Sequence, residues 1–118
     1  MAVEIEFKTG VKLRAAHGLP HVWRMLEVAA ETAENLANDT MVVTEGYRDA
    51  RHPDDAHTWC LAFDLRIHNI QLEGSLARYN AAWAWVKRMR AVHQDPRYQF
   101  TVHGEGANAH IHMEFDPR

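Results

Sequence analysis

The chain has 118 residues, of which 47% are hydrophobic and 25% charged, and its formal net charge is −3. This balance is typical of a soluble globular protein and excludes a disordered tail, a collagen-like rod and a coiled coil. No apolar run reaches the roughly 18–20 residues that span a bilayer, and there is no basic field to attract nucleic acid. We therefore expect neither a membrane span nor nucleic-acid binding.

The counts of cysteine and histidine narrow the class of protein further. The single Cys60 excludes an internal disulfide and suits a reducing compartment. The first ten residues, MAVEIEFKTG, lack the positive and apolar regions of a secretory signal, so we expect a cytoplasmic chain. Nine histidines are an unusual number. Histidine is the usual transition-metal ligand and the usual acid or base near neutral pH, which points to a chemical site.

The first half of the chain predicts a hairpin, a helix and a strand. Apolar residues alternate over 3–7 and again over 11–14, with a turn at 8–10 between them, which predicts a hairpin over 3–14. Pro20 suits a first helical turn, and the apolar spacing of three or four predicts an amphipathic helix over 21–37. The β-branched segment 41–47 predicts a strand, and the polar segment 49–57 predicts a loop.

The second half predicts three strands and a long helix. The strands cover 59–67, 98–103 and 110–115, and the helix covers 75–93, before Asp95-Pro96. The apolar positions of this helix that we expect to face inward are Leu76, Tyr79, Trp83, Val86 and Met89. We expect Trp83 and Trp85 to belong to the core rather than to a sugar-binding surface. Together the elements predict one α+β domain over residues 1–118. Its sheet is expected to be antiparallel, with helices packed on one face.

The strand predicted over 59–67 has one polar face. Asp64 follows two small residues on that face, Cys60 and Ala62, while the other face carries Trp59, Leu61, Phe63, Leu65 and Ile67. The small side chains leave room above the sheet beside a carboxylate. His57 precedes Asp64 by about 20 Å of extended chain. A turn at 57–58 must therefore fold the imidazole back if the two are to share an ion.

The last predicted strand carries two histidines on one face. His110, His112 and Glu114 alternate there with Ile111, Met113 and Phe115. Because a buried strand favours Val or Ile, the histidines indicate ligands rather than packing. If this strand pairs with 59–67, His57, Asp64 and His112 converge. Two imidazoles and one carboxylate leave a fourth tetrahedral position for water, as in catalytic zinc sites.

These motifs resemble a known superfamily. The segment from His57 to Asp64 resembles the HxxGxAxD signature of zinc D-Ala-D-Ala carboxypeptidases, D-Ala-D-Ala dipeptidases and L-alanyl-D-glutamate endopeptidases, whose fold the hedgehog signalling domain shares. Residues 45–48 (EGYR) resemble its SGYR segment, and 111–115 (IHMEF) resemble the segment of its third ligand. The resemblance runs in order from about residue 42 to residue 115 and implies a hedgehog-like fold.

The resemblance also implies roles for individual residues. His57, Asp64 and His112 would bind Zn²⁺, while Arg48, with Tyr47 beside it, would hold the substrate carbonyl or carboxylate. Other divalent ions also accept imidazole and carboxylate ligands.

The chain departs from the superfamily pattern at three places. Cys60 replaces the usual Gly, the loop between Arg48 and His57 is short, and Ala109 occupies the usual position of the general-base carboxylate. The penicillin-insensitive murein endopeptidases instead carry His-x-His, which His110-Ile111-His112 resembles. This implies a proton-transfer or oxyanion role for His110, with Glu105 of the loop 104–108 as a substitute.

We therefore expect a zinc metallopeptidase that hydrolyses peptidoglycan stem peptides, of the D-Ala-D-Ala carboxypeptidase or the L-Ala-D-Glu endopeptidase type. Such a chain would degrade the cell wall as a phage endolysin after lysis, or as a component of the virion. The alternative is a non-catalytic zinc-binding module of the same fold, with a structural or peptide-binding role, since Ala109 removes the usual carboxylate.

Overall fold

A computed structural model describes residues 3–49 and 55–117. The strands are β1 (Glu4–Phe7), β2 (Thr40–Glu45), β3 (Ala62–Arg66), β4 (Tyr98–His103) and β5 (His110–Phe115), and the helices are α1 (Pro20–Thr32) and α2 (Ser75–Val92). The strands form one sheet in the order β1-β2-β3-β5-β4. The α+β class predicted from the sequence is therefore confirmed. Neither α1 nor α2 combines the length and the hydropathy that a bilayer-crossing segment requires.

The sheet is mixed, so the prediction of an antiparallel sheet is wrong at one edge. The pairs β2–β3, β3–β5 and β5–β4 are antiparallel, whereas β1 runs parallel to β2, with Ile5 opposite Met41. The reason is the position of α1 between β1 and β2. A helical crossover returns the chain to the end where the first strand began, which is how parallel neighbours are connected.

The predicted hairpin over residues 3–14 is absent. The chain does turn after β1, where Gly10 has a φ of +93° and the Val11 N–H donates to the Lys8 carbonyl at 3.0 Å. Beyond this turn, however, Lys12 forms a bridge with Tyr47 rather than with β1. The alternation over residues 11–14 therefore does not produce a strand paired to β1.

The core lies between one face of the sheet and both helices, as predicted. Phe63 and Leu65 of β3 and Ile111 and Met113 of β5 are fully buried on this face. Trp85 of α2 links the two helices, because its indole N–H donates to the carbonyl of Ala29 in α1 at 3.0 Å. Burying each large apolar side chain contributes about 1.5–3 kcal/mol relative to its exposed state. The residues that alternate with these in β3 and β5 consequently lie on the opposite, open face.

Two predicted element boundaries are wrong for local backbone reasons. Helix α1 ends at Thr32 rather than Ala37, and Asn35 follows it with a left-handed φ of 58°. Strand β3 begins at Ala62, because Cys60 has a left-handed φ of 60° that interrupts the two-residue alternation. Trp59, which parity placed in the core, is 65% exposed as a result.

The inward face of α2 also differs from the prediction. Its buried residues are Ala82, Trp85, Val86 and Met89. Leu76 is 73% exposed, Tyr79 is exposed as well, and Trp83 is only partly buried. Residues 75–80 include no buried side chain, so the apolar residues at the start of the helix have no core to face.

Candidate metal centre

Three side chains predicted to bind a metal meet on the open face of the sheet. Asp64 and His112 are direct cross-strand partners in β3 and β5, so their side chains are adjacent. His112 Nδ1 lies 2.9 Å from Asp64 Oδ1, and His57 Nε2 lies 3.1 Å from the same oxygen. One ligand atom from each residue lies within 4.8 Å of the other two. The group could therefore hold a metal ion.

A tight turn over residues 55–61 brings His57 back to the sheet. The N–H groups of Thr58, Cys60 and Leu61 donate to the carbonyls of Asp55, His57 and Ala56 at 3.1, 3.2 and 3.0 Å. The backbone N–H of His57 also donates to Asp55 Oδ1 at 3.1 Å. This is the fold-back that the separation between positions 57 and 64 required. The left-handed Cys60 stands where the superfamily signature has glycine, the residue that adopts this conformation most readily.

The hydrogen bond of His57 to the backbone fixes which nitrogen faces Asp64. His57 Nδ1 lies 2.8 Å from the carbonyl oxygen of Gly46. Because a carbonyl only accepts, Nδ1 carries a hydrogen and donates it. In the neutral ring, Nε2 then directs its lone pair at Asp64 Oδ1.

The ring of His112 is fixed in the same manner by a carboxylate. Its Nε2 lies 2.9 Å from Glu114 Oε1, so Nε2–H donates there and Nδ1 faces Asp64. A carboxylate on the outer nitrogen is the usual support of a metal-binding histidine. When both rings are neutral, the lone pairs of His57 Nε2 and His112 Nδ1 therefore both face Asp64 Oδ1. This arrangement requires extra protons or a cation between the nitrogens and the oxygen. The two nitrogen–oxygen separations, 2.9 and 3.1 Å, are close to the ~3.3 Å expected between ligand atoms around tetrahedral zinc.

Hydrogen bonds within the centre shift the pKa values of His112, Asp64 and Glu114 toward their charged forms. Burial alone would lower the pKa of His112, but its hydrogen bonds with Asp64 and Glu114 outweigh burial and raise the pKa to about 9. Burial would raise the pKa of Asp64, but the hydrogen bonds from His112 and His57 hold it well below its usual range. The hydrogen bond from His112 also lowers the pKa of Glu114. At neutral pH a metal would thus displace a proton from His112 and meet the ionised carboxylate of Asp64, while ionised Glu114 remains on the outer nitrogen of His112.

His110 borders the centre on the side that is open to solvent. Its Nε2 lies 3.6 Å from Asp64 Oδ2, and its Nδ1 lies 3.0 Å from the carbonyl oxygen of Asn108. Nδ1 therefore carries the hydrogen of the neutral ring, and Nε2 is left to accept a proton. A cleft of about 380 Å³ reaches both His110 and Asp64.

The two residues predicted to bind substrate have different surroundings. Arg48 lines the cleft that reaches Asp64, and its Nε and Nη2 donate to the carboxylate of Asp55 at 3.0 and 3.3 Å. Tyr47 instead lies against Arg14, whose guanidinium carbon is 4.2 Å from the centre of the Tyr47 ring. The Tyr47 hydroxyl donates to the carboxylate of Asp49 at 3.2 Å. Arg48 is therefore placed beside the centre. The substrate-binding role of Tyr47 stays a prediction.

Glu105 does not join the cluster around Asp64. It is exposed and lines another cleft, of about 410 Å³, together with Ile67 and Leu76. Ala109, at the usual position of the general-base carboxylate, packs into the apolar core. The substitute role of Glu105 stays a prediction. Two further histidines are near the site by sequence, His52 and His103. His52 lies outside the described residues, whereas the ring centre of His103 lies 5.4 Å from that of His112 and 5.9 Å from that of His110.

The structure adds supporting residues that the sequence reasoning did not assign. Glu114 shares a strand face with His112, two positions away, which is a signal that could have been read. The carbonyl of Gly46 and the carboxylate of Asp55 gave no such signal, because their contacts depend on how the turn over 55–61 folds.

Comparisons with protein-family models, curated proteins and solved structures give no significant match. The fold and the site define an α+β protein with a candidate centre of two histidines and one aspartate on the open face of its sheet. The resemblance to the hedgehog-like peptidase superfamily rests on the motifs and stays a prediction.

Proposed function

We propose that the chain is a zinc-dependent peptidase that hydrolyses peptidoglycan stem peptides, of the D-Ala-D-Ala carboxypeptidase or the L-Ala-D-Glu endopeptidase type. One observation carries the proposal. His57, Asp64 and His112 direct donor atoms at a common point, and His110 Nε2 lies beside it on the wall of an open cleft. The peptide class comes from the resemblance of the motifs.

The donor set favours zinc over the hard divalent cations. Calcium and magnesium take oxygen ligands, whereas two imidazole nitrogens and one carboxylate are a usual zinc set with an open fourth position. The supports on the outer nitrogens, Gly46 and Glu114, are those expected of metal-binding histidines.

The residues around the centre have distinct parts in hydrolysis. Zinc, when bound, lowers the pKa of a coordinated water and polarises a carbonyl. His110 Nε2 accepts the proton of the water that attacks the peptide carbonyl carbon, and returns it to the nitrogen as the C–N bond breaks. Arg48 holds the substrate oxygen, while its pair with Asp55 keeps the guanidinium at the cleft wall. The products are a carboxylate and an amine.

Metal analysis and a digestion assay test this proposal together. The purified protein should contain one zinc and should cleave isolated stem peptides in a reaction that a chelator stops and zinc restores. His57→Ala should lose both zinc and cleavage. His110→Ala should keep zinc and lose about 10²- to 10⁴-fold in rate. His21→Ala, at an exposed histidine of α1, is the control and should retain both.

Cleavage that survives complete removal of metal would contradict the proposal. Full cleavage by the His110→Ala variant would contradict the role of His110 only.

The alternative function is a non-catalytic zinc-binding module. Ala109, which packs into the apolar core, favours it because the chain supplies no carboxylate at the usual position of the general base. This module would bind zinc fully and cleave neither type of stem peptide.

A further inference from the structure

Arg66 stands next to the candidate metal centre on the same strand face. It follows Asp64 by two positions in β3, so the two side chains project from the same side of the sheet about 7 Å apart. Its cross-strand partner in β5 is His110, the proposed proton carrier. Arg66 therefore lies about one amino-acid residue away from the point where a scissile amide would bind.

The guanidinium of Arg66 lacks a protein partner within the described part of the chain. Its Nε is buried and makes no hydrogen bond there. The ion pairs of residues 3–49 and 55–117 include none with Arg66. Arginine remains protonated at any physiological pH, so the charge is permanent. Arg66 also lines an open cleft, where a ligand oxygen can pair with the charge of the guanidinium.

The cleft beside Arg66 has an excess of positive charge. Lys8, Arg48 and Arg66 all line it, together with Glu45 and Asp64. Both carboxylates already have partners: a Glu45 oxygen lies 3.7 Å from Arg48 Nη1, and Asp64 Oδ1 contacts the imidazoles of His57 and His112. The charges of Arg66 and of the exposed Lys8 therefore face the open volume. They favour an anion, and a planar carboxylate matches the fork of a guanidinium.

We propose that Arg66, with Lys8 at the mouth of the cleft, forms a carboxylate subsite that selects peptides with a free carboxylate on the residue next to the scissile amide. This inference rests on the proposed function, since it defines the substrate of that site. The carboxylate has two possible sources in stem peptides. It is the α-carboxylate of a γ-linked D-Glu, or it is the C-terminal carboxylate of D-Ala-D-Ala.

Two pairs of synthetic peptides test the subsite and distinguish the sources. The first pair is L-Ala-γ-D-Glu-L-Lys with the α-carboxylate of D-Glu free or converted to the carboxamide. The second is L-Lys-D-Ala-D-Ala with a free or an amidated C-terminus. Binding to the zinc-loaded protein is measured by calorimetry, and hydrolysis is measured separately. In one of the pairs we expect the carboxylate form to bind about tenfold tighter or better, as a charge-assisted hydrogen bond allows.

Variants assign that preference to Arg66. Arg66→Gln should bind both members of the selected pair equally, with unchanged zinc content, and Arg66→Lys should recover part of the preference. Lys87→Gln, at an exposed residue of α2, removes the same charge elsewhere and should behave as the wild type.

Equal or undetectable binding of both members in both pairs by the wild type would overturn the subsite, and so would a full preference in Arg66→Gln. If Arg66→Gln fails to fold, Lys8→Gln replaces it and should reduce the preference; an undiminished preference would overturn the subsite as proposed. Selective binding without any hydrolysis would leave the subsite standing and remove the peptidase proposal. Hydrolysis of both members of each pair at equal rates and with equal affinities would remove the subsite and leave the peptidase proposal standing.

Discussion

Hydrogen-bond partners decide which nitrogen of each histidine faces the candidate metal centre. The Gly46 carbonyl takes the Nδ1 hydrogen of His57, and the Glu114 carboxylate takes the Nε2 hydrogen of His112. The nitrogens that remain both face Asp64 Oδ1. The rings are thus oriented before any metal arrives, and each supporting contact should contribute to metal affinity.

Replacing Glu114 tests this contribution at a single residue. Glu114→Ala should weaken zinc binding about 10- to 100-fold, because His112 loses the partner that orients its ring. Competition with a chromophoric chelator measures the affinity, and Glu6→Ala, at an exposed residue of β1, is the matched control. Equal zinc affinity in the two variants would show that Glu114 has no supporting role.

The raised pKa of His112 predicts how the metal-free protein responds to pH. Its folded value of about 9 lies above the ordinary 6.5, so the bound proton stabilises the fold fully below pH 6.5. That contribution is lost as the pH rises through about 9. With chelator present, the Tm should fall by several degrees between pH 6.5 and pH 9, while the apparent zinc affinity should rise.

A variant separates His112 from other groups that titrate in this range. His112→Gln should show a smaller fall of Tm over the same interval. An identical slope in the variant and the wild type would contradict the assignment of the proton to His112.

At the scale of elements, the turn over 55–61 and the segment after β2 hold one another in place. Three contacts join them: His57 to the Gly46 carbonyl, the Thr58 hydroxyl to the Arg48 carbonyl, and the Arg48 guanidinium to Asp55. The turn supplies one candidate ligand, and the segment after β2 supplies Arg48. A shift of either element should therefore disturb metal binding and substrate contact together.

Gly46 is the point where this arrangement is tightest. A Cβ at position 46 would lie 2.6 Å from the Lys12 carbonyl oxygen, so the backbone must move. Gly46→Ala should lower the free energy of unfolding by about 1–3 kcal/mol and weaken zinc binding, because the carbonyl that orients His57 moves as well.

Gly18→Ala is the matched control, since a Cβ there meets nothing within 4 Å. Denaturant titrations and zinc titrations of the two variants provide the comparison. A Gly46→Ala protein with unchanged stability and zinc affinity would contradict the close approach.

At the scale of the whole molecule, one face of the sheet packs into the core and the other carries the candidate site residues. Both helices cover one face and form the core, whereas the other face carries Asp64, Arg66 and the histidines of β5. The three candidate ligands come from a turn and two strands that are far apart in the chain. They meet only when the sheet is assembled, so metal binding should stabilise the entire fold.

Thermal unfolding with and without zinc tests this coupling. Zinc at about 100 times its Kd should add about 2.7 kcal/mol to the free energy of unfolding and raise the Tm. His57→Ala should abolish the rise, and His21→Ala should keep it. A Tm that zinc leaves unchanged in the wild type would show that the folded chain has no zinc site.

The alternation of residue types determined much of this protein without any tertiary information. It predicted the β4 and β5 strands, the position of α2, and the opposite faces of Phe63 and Asp64, because side-chain direction in a strand depends only on parity. It also predicted that His57 must fold back toward Asp64. These properties depend on neighbours along the chain, which is why the order of residues contains them.

Contacts between distant segments decided the rest. The parallel placement of β1, the exposure of Leu76, and the Gly46 carbonyl that orients His57 each depend on which surface another element already occupies. These contacts join residues that are far apart in the chain, so the local sequence pattern does not predict them. The sequence therefore determined which side chains could form a metal centre, and only the assembled sheet decided how their nitrogen and oxygen atoms face one another.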